Sequence, residues 1–174
     1  MIYNIFIYTI SIILFSFSFS GIGKFFLKYF SLKNSSFLIE ILYGIYFCSF
    51  IVLIYNFLFK INIFFSYLLF FFGLINYFLI KIRKNDLLND FRLCLILIFF
   101  SSLLTFFSKF QEDFPWYTLP YISLLNENKI IFGLTNIQFR FGHTSILSYA
   151  AAYSSNVILL QNLIIPYILS CTVV

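Results

Sequence analysis

Apolar residues fill the chain in long runs that only a few short polar stretches interrupt. A helix needs about 20 apolar residues to cross the roughly 30 Å hydrocarbon core of a bilayer. The pattern therefore predicts an all-α, polytopic integral membrane protein with about five transmembrane helices. The predicted spans cover residues 2–22, 36–59, 61–80, 93–108 and 144–165.

The most polar interruption, residues 109–143, follows the fourth predicted span and holds half of the acidic residues, the only Trp and the only His. Trp and Tyr favour the membrane–water interface, so the segment from Pro115 to Asn128 predicts a short helix lying on the bilayer. Asp113 stands two residues before Pro115, where it can cap the start of that helix. Asn126, Asn128 and Gly133 are predicted to end it.

Composition agrees with a membrane protein, since 62% of the residues are hydrophobic, only 10% are charged and the mean hydropathy is +1.00. A soluble domain carries about a quarter of its residues as charged side chains. The three cysteines show no CxxC or Cys/His spacing, so neither a zinc site nor a disulfide framework is indicated. Residues 1–174 are treated as a single transmembrane helical region.

The net charge of +5 comes from Lys and Arg residues that cluster at the ends of the apolar runs. This placement favours membrane anchoring and orientation over nucleic-acid binding. The loops at 23–35 and 81–92 hold seven of the 11 basic residues, and the other four lie in the remaining loops. The positive-inside rule therefore predicts cytoplasmic positions for these two loops and an outer position for residues 109–143.

Two features within the predicted spans concern packing and charge. Glu40 lies near the start of the second span, where solvation at the cytoplasmic edge is the expected state, in preference to a buried functional site.

The fifth span carries a face of small residues that predicts close helix packing. These residues are Ser148, Ala151, Ala152 and Ser155.

Four polar residues of the 109–143 loop are candidates for chemistry. Glu112 and Asp113 form an acidic pair in which a carboxylate could act as a general base or metal ligand, or could only cap a helix. Arg140 could extend to the interface or bind a phosphate through its fork of donors. His143 could face water, or take a catalytic or phosphate-contacting role. The residues alone leave these alternatives open.

The order of residues in this loop resembles a loop in a family of large bacterial polytopic membrane proteins, which are mostly uncharacterised and often associated with surface-polysaccharide genes. The similar motifs are D-x-P-W-Y-x-L-P-Y, N-E-N-K-I-I-F-G-L-x-N and R-F-G-x-x-S. Thr118 and the pair His143 and Thr144 depart from the family pattern, which often has His at the first position. The matching residues are Asp113, Tyr117, Gly133, Leu134, Asn136, Arg140, Gly142 and Ser145.

That family is distantly similar to GT-C glycosyltransferases, integral enzymes that use polyprenyl-phosphate-linked sugars. The resemblance implies that Asp113, with Glu112 beside it, is the catalytic carboxylate, and that a divalent metal ion could serve as cofactor. It also implies membrane lipid and a polyprenyl-phosphate sugar as partners, no nucleic acid, and a place in the bacterial cytoplasmic membrane. The expected substrate and phosphate contacts are Arg140, His143, Tyr117 and Asn136.

The expected function is that of an N-terminal membrane segment of such an enzyme in cell-envelope glycan assembly. GT-C proteins have more spans than the five predicted here, so a further C-terminal portion or a partner membrane subunit is expected. The alternative is a non-enzymatic membrane component, such as a polysaccharide polymerase or flippase partner or a scaffold. In that case Asp113 only caps a helix.

Overall fold

A computed structural model describes residues 2–30, 35–81, 87–108, 119–133, 136 and 145–157. Six helices account for the secondary-structure elements in these ranges, which confirms the predicted all-α class. In chain order they are α1 (Ile2–Tyr29), α2 (Phe37–Leu58), α3 (Ile63–Lys81), α4 (Leu87–Ser108), α5 (Leu119–Glu127) and α6 (Leu147–Val157).

Three helices of the described part are long and apolar enough to cross a membrane: Ile7–Tyr29, Phe37–Leu58 and Leu87–Leu104. The third predicted span coincides with α3, whose apolar stretch Ile63–Leu79 is shorter. The fifth predicted span coincides in part with α6, and its remainder lies outside the described residues. The chain is thus a membrane protein built from apolar helices, and the count of five spans stays a prediction.

Two helices extend beyond the ends of the predicted spans, and both extensions include charged residues. The first span was predicted to end at residue 22, but α1 continues past Lys24 to Tyr29. The fourth was predicted to begin at residue 93, but α4 begins at Leu87 and includes Asp90. Lys24 and Asp90 have polar partners inside the bundle, so neither charge has to leave the helix for water.

Helix α1 packs against α2 and α3, and at these contacts the helix backbones approach very closely. A methyl group on Gly44 would overlap the Phe19 carbonyl oxygen, and one on Gly21 would overlap the Gly73 carbonyl oxygen. The Ser18 hydroxyl donates a hydrogen bond to the Phe70 carbonyl at 3.0 Å. Small residues at close crossings are typical of helix association in membranes, where van der Waals packing and interhelical hydrogen bonds replace the hydrophobic effect.

Aromatic side chains fill the space between the helices. Phe15 of α1 lies edge-on to Phe70 of α3, with ring centroids 5.2 Å apart, and also edge-on to Tyr153 of α6 at 6.1 Å. Tyr77 of α3 stacks on Phe17 at 4.7 Å. Such pairs contribute about 0.5–1.5 kcal/mol each beyond the area they bury. Phe, Ile and Leu side chains on the outer faces of α2, α3 and α4 are exposed, as expected for lipid-facing positions.

Helix α6 is enclosed by other parts of the bundle. The predicted small-residue face is largely buried, since Ala151, Ala152 and Ser155 are all inaccessible or nearly so. At the end of α6 the Val157 carbonyl accepts a hydrogen bond from the Tyr67 hydroxyl at 3.0 Å. The small residues therefore serve close packing, as predicted.

Candidate functional site

The sequence-predicted site residues fall mostly outside the described part of the chain. Glu112, Asp113, Tyr117, Arg140 and His143 are in this group, so their grouping into one site stays a prediction. Asn136 is described and is exposed. Its backbone N–H donates to the Gly133 carbonyl at 2.9 Å, and Gly133 has a φ of 83°, in the left-handed region that favours glycine. Gly133 was predicted to end the helix of this loop, and it lies at a turn six residues after the last helical residue, Glu127.

The short helix predicted in this loop is present as α5, Leu119–Glu127. Pro120 lies in its first turn, where a missing N–H costs nothing. Tyr121, Ile122 and Leu125 are buried, and α5 packs against α6. Asn126 belongs to the helix rather than ending it. The apolar side of α5 thus faces protein, a contact that the prediction of a helix on the bilayer did not include.

Asn56, near the end of α2, holds the chain that follows α5. Its buried side-chain amide donates to the carbonyls of Leu125 at 3.3 Å and Asn128 at 3.0 Å. Its own backbone carbonyl accepts a hydrogen bond from the Ile130 N–H at 3.0 Å. The last carbonyls of a helix lack partners within that helix. Asn56 therefore satisfies a carbonyl at the end of α5 and fixes this end to α2.

A second set of hydrogen bonds joins α5 to α6, and joins α6 to the connection between α2 and α3. The Asn126 amide donates to the Ser155 hydroxyl at 3.0 Å, and the Asn156 amide donates to the Asn126 side-chain oxygen at 3.1 Å. Asn156 also donates to the Ile61 carbonyl at 3.3 Å. We call Asn56, Asn126, Ser155 and Asn156 the asparagine cluster. It places α5 at the end of the bundle where α2 passes into α3.

A small pocket of about 40 Å³ lies beside this cluster, between α5 and α6. Three of its lining residues are polar, namely Lys129, Tyr121 and Tyr149. The two tyrosines are each only 8% exposed and interact through their hydroxyl groups, whereas Lys129 is exposed. The other lining residues are apolar: Leu124, Leu125, Ile130 and Ile131. The pocket thus combines hydrogen-bond donors and one positive charge with apolar walls.

Asn56→Leu is expected to loosen α5 while leaving the α1–α2–α3 contacts in place. Leucine is close in size to asparagine but cannot donate to the Leu125 and Asn128 carbonyls, and each lost bond that leaves a buried carbonyl unpaired costs about 1–3 kcal/mol. Amide hydrogen exchange of residues 119–130 in detergent should become faster by at least tenfold. Exchange in α2 around Gly44 is the internal control. Unchanged exchange in α5 would show that Asn56 does not hold it.

At the opposite end of the bundle the structure corrects the prediction for Glu40. Its side chain is fully buried rather than solvated, and it pairs with the Lys24 ammonium at 2.7 Å. The Ser20 hydroxyl donates to the same carboxylate at 2.7 Å and the Ser35 hydroxyl at 3.1 Å. The sequence did contain a signal, because Ser20 and Lys24 are four residues apart and share one face of α1.

A second buried carboxylate lies at this end. Asp90 of α4 is 3% exposed and accepts a hydrogen bond from the Tyr77 hydroxyl at 2.9 Å. This bond joins α4 to α3 near the loop that connects them. Asp90 was missed as a buried group because its partner Tyr77 lies on another helix.

Within the described ranges there is no group of three or more His, Cys, Asp or Glu residues that could hold a metal ion. Glu112 and Asp113, the carboxylates that the resemblance assigns to a divalent metal, lie outside those ranges. Cys48 and Cys94 are free thiols and both are buried.

Comparison with known proteins places the chain in a family without supplying a function. No curated protein matches it significantly. No solved structure does so either. The family model described as "Domain of unknown function (DUF8201)" matches residues 1–173, and the chain belongs to that family.

Proposed function

We propose that the chain is the membrane segment of a GT-C-like glycosyltransferase that uses a lipid-phosphate-linked sugar in cell-envelope glycan assembly. The observation that carries the proposal is the fixed position of α5, which the asparagine cluster holds at one end of the bundle. The motifs that resemble the glycosyltransferase-like family lie before, within and after this helix. A transferase gains rate by holding its reactants in one orientation, which requires a loop that is held rigidly.

The location of charge supports an outer position for this end of the bundle. Lys60, in the connection between α2 and α3, and Lys129, after α5, lie at the same end as the asparagine cluster. The more basic segments, 23–35 and 81–92, include the end of α1 and the start of α4 and lie at the other end. The positive-inside rule assigns the more basic end to the cytoplasm, here of a bacterial cytoplasmic membrane.

The proposed reaction transfers the sugar from the lipid phosphate to an acceptor hydroxyl. The Asp113 carboxylate removes the hydroxyl proton as the oxygen attacks the anomeric carbon, and the bond from that carbon to the phosphate oxygen breaks. The lipid phosphate leaves with both bonding electrons. Arg140, with His143, Tyr117 and Asn136 nearby in the motif, is proposed to contact the phosphate and the sugar.

Asp113→Asn and Asp113→Ser test this assignment in the protein as it occurs in its host membrane. Both substitutions keep a side chain that caps a helix, but neither keeps a general base. Envelope glycan product is expected to fall by about 100-fold or more in both variants, since a general base contributes about 10²–10⁴ in rate. The amount of chain in the membrane fraction should stay unchanged. Glu112→Gln is the neighbouring control.

A normal glycan level in both Asp113 variants would remove the catalytic assignment. It would favour the alternative in which the chain is a non-enzymatic partner of a polymerase or flippase, or a scaffold, and Asp113 only caps a helix.

A further inference from the structure

The pocket between α5 and α6 is lined by one cationic residue and two tyrosines. Lys129 lines it beside the buried Tyr121 and Tyr149, whose hydroxyl groups interact with each other. Ammonium and hydroxyl groups that converge in one pocket suit an oxyanion, and a charged partner makes each such hydrogen bond about twice as strong as a neutral one.

Lys129 forms no ion pair with the acidic residues of the described ranges. Among the residues that the structure describes, no carboxylate oxygen lies within 4 Å of its ammonium group, and the ion pair found there joins Lys24 to Glu40. The nearest acid in sequence, Glu127, is exposed at the end of α5 and does not line the pocket. Among the described lining residues, the charge is therefore the single positive charge of Lys129.

The surroundings of the pocket are those of a membrane surface. Ile131 lines the pocket and is 40% exposed, and the adjacent Phe132 is 83% exposed. Phe132 lies next to Phe57 at the exposed end of α2, with ring centroids 6.4 Å apart. Large apolar groups grouped at the end of a membrane helix are expected to lie among lipids. An amphiphile with its anion in the pocket would place its chain along Ile131 and Phe132.

The size of the pocket selects the part of the ligand that it holds. A cavity needs about 10–15 Å³ for each water molecule that it holds. The pocket volume of about 40 Å³ therefore has room for about three waters. That is enough for one phosphate group and too little for a sugar ring. We propose that this pocket binds the phosphate group of a membrane lipid, with Lys129 and the paired hydroxyls of Tyr121 and Tyr149 as its donors. The site follows from the membrane location of the chain and not from the chemistry assigned to Asp113.

Binding can be measured on the full chain purified in detergent and titrated with lipid, with retained lipid counted by native mass spectrometry. The probes are phosphatidylglycerol, a polyprenyl phosphate, phosphatidylcholine and inorganic phosphate. Lys129→Gln is expected to weaken binding of the first two lipids by about tenfold or more, because a hydrogen bond from a charged donor is lost. Tyr121→Phe and Tyr149→Phe should each weaken it by a few fold.

Lys60→Gln is the matched control, because Lys60 is an exposed lysine at the same end of the bundle that does not line the pocket. It should bind lipid as the wild type does. Lys129→Arg keeps the charge and should retain binding within a few fold. This control shows whether the loss in Lys129→Gln comes from the lost charge or from any substitution at this position. Thermal unfolding midpoints of the Lys60 and Lys129 variants should be unchanged, since both lysines are exposed. The Tyr→Phe changes keep the ring but remove the contact between the two hydroxyls, so their midpoints should fall slightly.

The outcomes separate the possible sources of the phosphate. Preferred retention of the polyprenyl phosphate would make the site the donor contact of the proposed transferase, and equal retention of both anionic lipids would make it a general phospholipid site. Binding of inorganic phosphate alone would overturn the lipid assignment. Equal losses in Lys60→Gln and Lys129→Gln, or no loss in Lys129→Gln, would overturn the site. Asp113→Asn should retain lipid normally, so failure of the glycosyl-transfer proposal would leave this test unaffected.

Discussion

Gly44→Ala is expected to destabilise the bundle, although alanine is the better helix former. Helix propensity alone favours alanine by about 1 kcal/mol. The added methyl group, however, would overlap the Phe19 carbonyl oxygen of α1, and a backbone atom cannot turn aside as a flexible side chain can. Overpacking costs about 1–3 kcal/mol and occasionally more. Because α1 and α2 would have to separate along their contact, we expect a net loss of about 2 kcal/mol.

The measurement is the free energy of unfolding in mixed micelles, or the thermal midpoint where unfolding is irreversible. Phe50→Ala is a control on the same helix, since Phe50 is 53% exposed on the outer face of α2. Phe50→Ala should change stability little, because the removed ring contacts detergent and leaves no cavity in the packed interior. A rise in stability for Gly44→Ala would mean that propensity prevails and that α1 and α2 do not touch at this point.

Lys24→Met is expected to have an even larger effect. The substitution keeps a long side chain on α1 but removes the cation from the buried Glu40 carboxylate, which keeps its hydrogen bonds from the Ser20 and Ser35 hydroxyls. Breaking a buried ion pair by removing one partner costs about 3–5 kcal/mol, because an uncompensated charge is left in a medium of low dielectric constant. The Lys24 side chain is 16% exposed, so the lower half of that range is expected.

A double-mutant cycle isolates the pair. Adding Glu40→Gln to Lys24→Met removes the uncompensated charge and keeps a side chain that the serine hydroxyls can contact, so most of the lost stability should return. Lys28→Met, one turn further along α1 at an exposed position, is the matched control and should be nearly neutral. Additive effects of the two substitutions would show that Lys24 and Glu40 do not interact.

The sequence predicts the helices best where an apolar run ends at residues that water must solvate. Residues 36–59 were predicted for the second span, and α2 is Phe37–Leu58, with the Ser36 hydroxyl accepting from the Ile39 N–H as a cap. The helices extend beyond the predicted spans where a charged residue stays inside the bundle, as Lys24 and Asp90 do. The length of an apolar run contains no information about a partner on another helix, and each of these residues has one.

In the candidate site too, local structure could be predicted from the sequence, whereas contacts between remote residues could not. A helix in the 109–143 loop could be predicted from local chemistry, since proline, tyrosine and tryptophan there favour a helix start and an interfacial position. Its attachment could not, because Asn56 binds backbone carbonyls that lie 69 and 72 residues away in sequence. Any residue type supplies a carbonyl, so that contact leaves no pattern in the sequence. The Lys129 pocket was missed for a similar reason, since Tyr149 reaches it from another helix.

The Lys24–Glu40 contact also has a consequence for biogenesis. As α1 leaves the ribosome it carries a lysine that an isolated helix would have to place in or near hydrocarbon, and α2 follows with a glutamate that has the same difficulty. Inserting such a charge alone costs about 2.5–3.5 kcal/mol at a helix centre. The two charges meet only when both helices are side by side, so α1 and α2 are expected to enter the bilayer together as a helical hairpin, with the short segment between them remaining on the side from which translation proceeds.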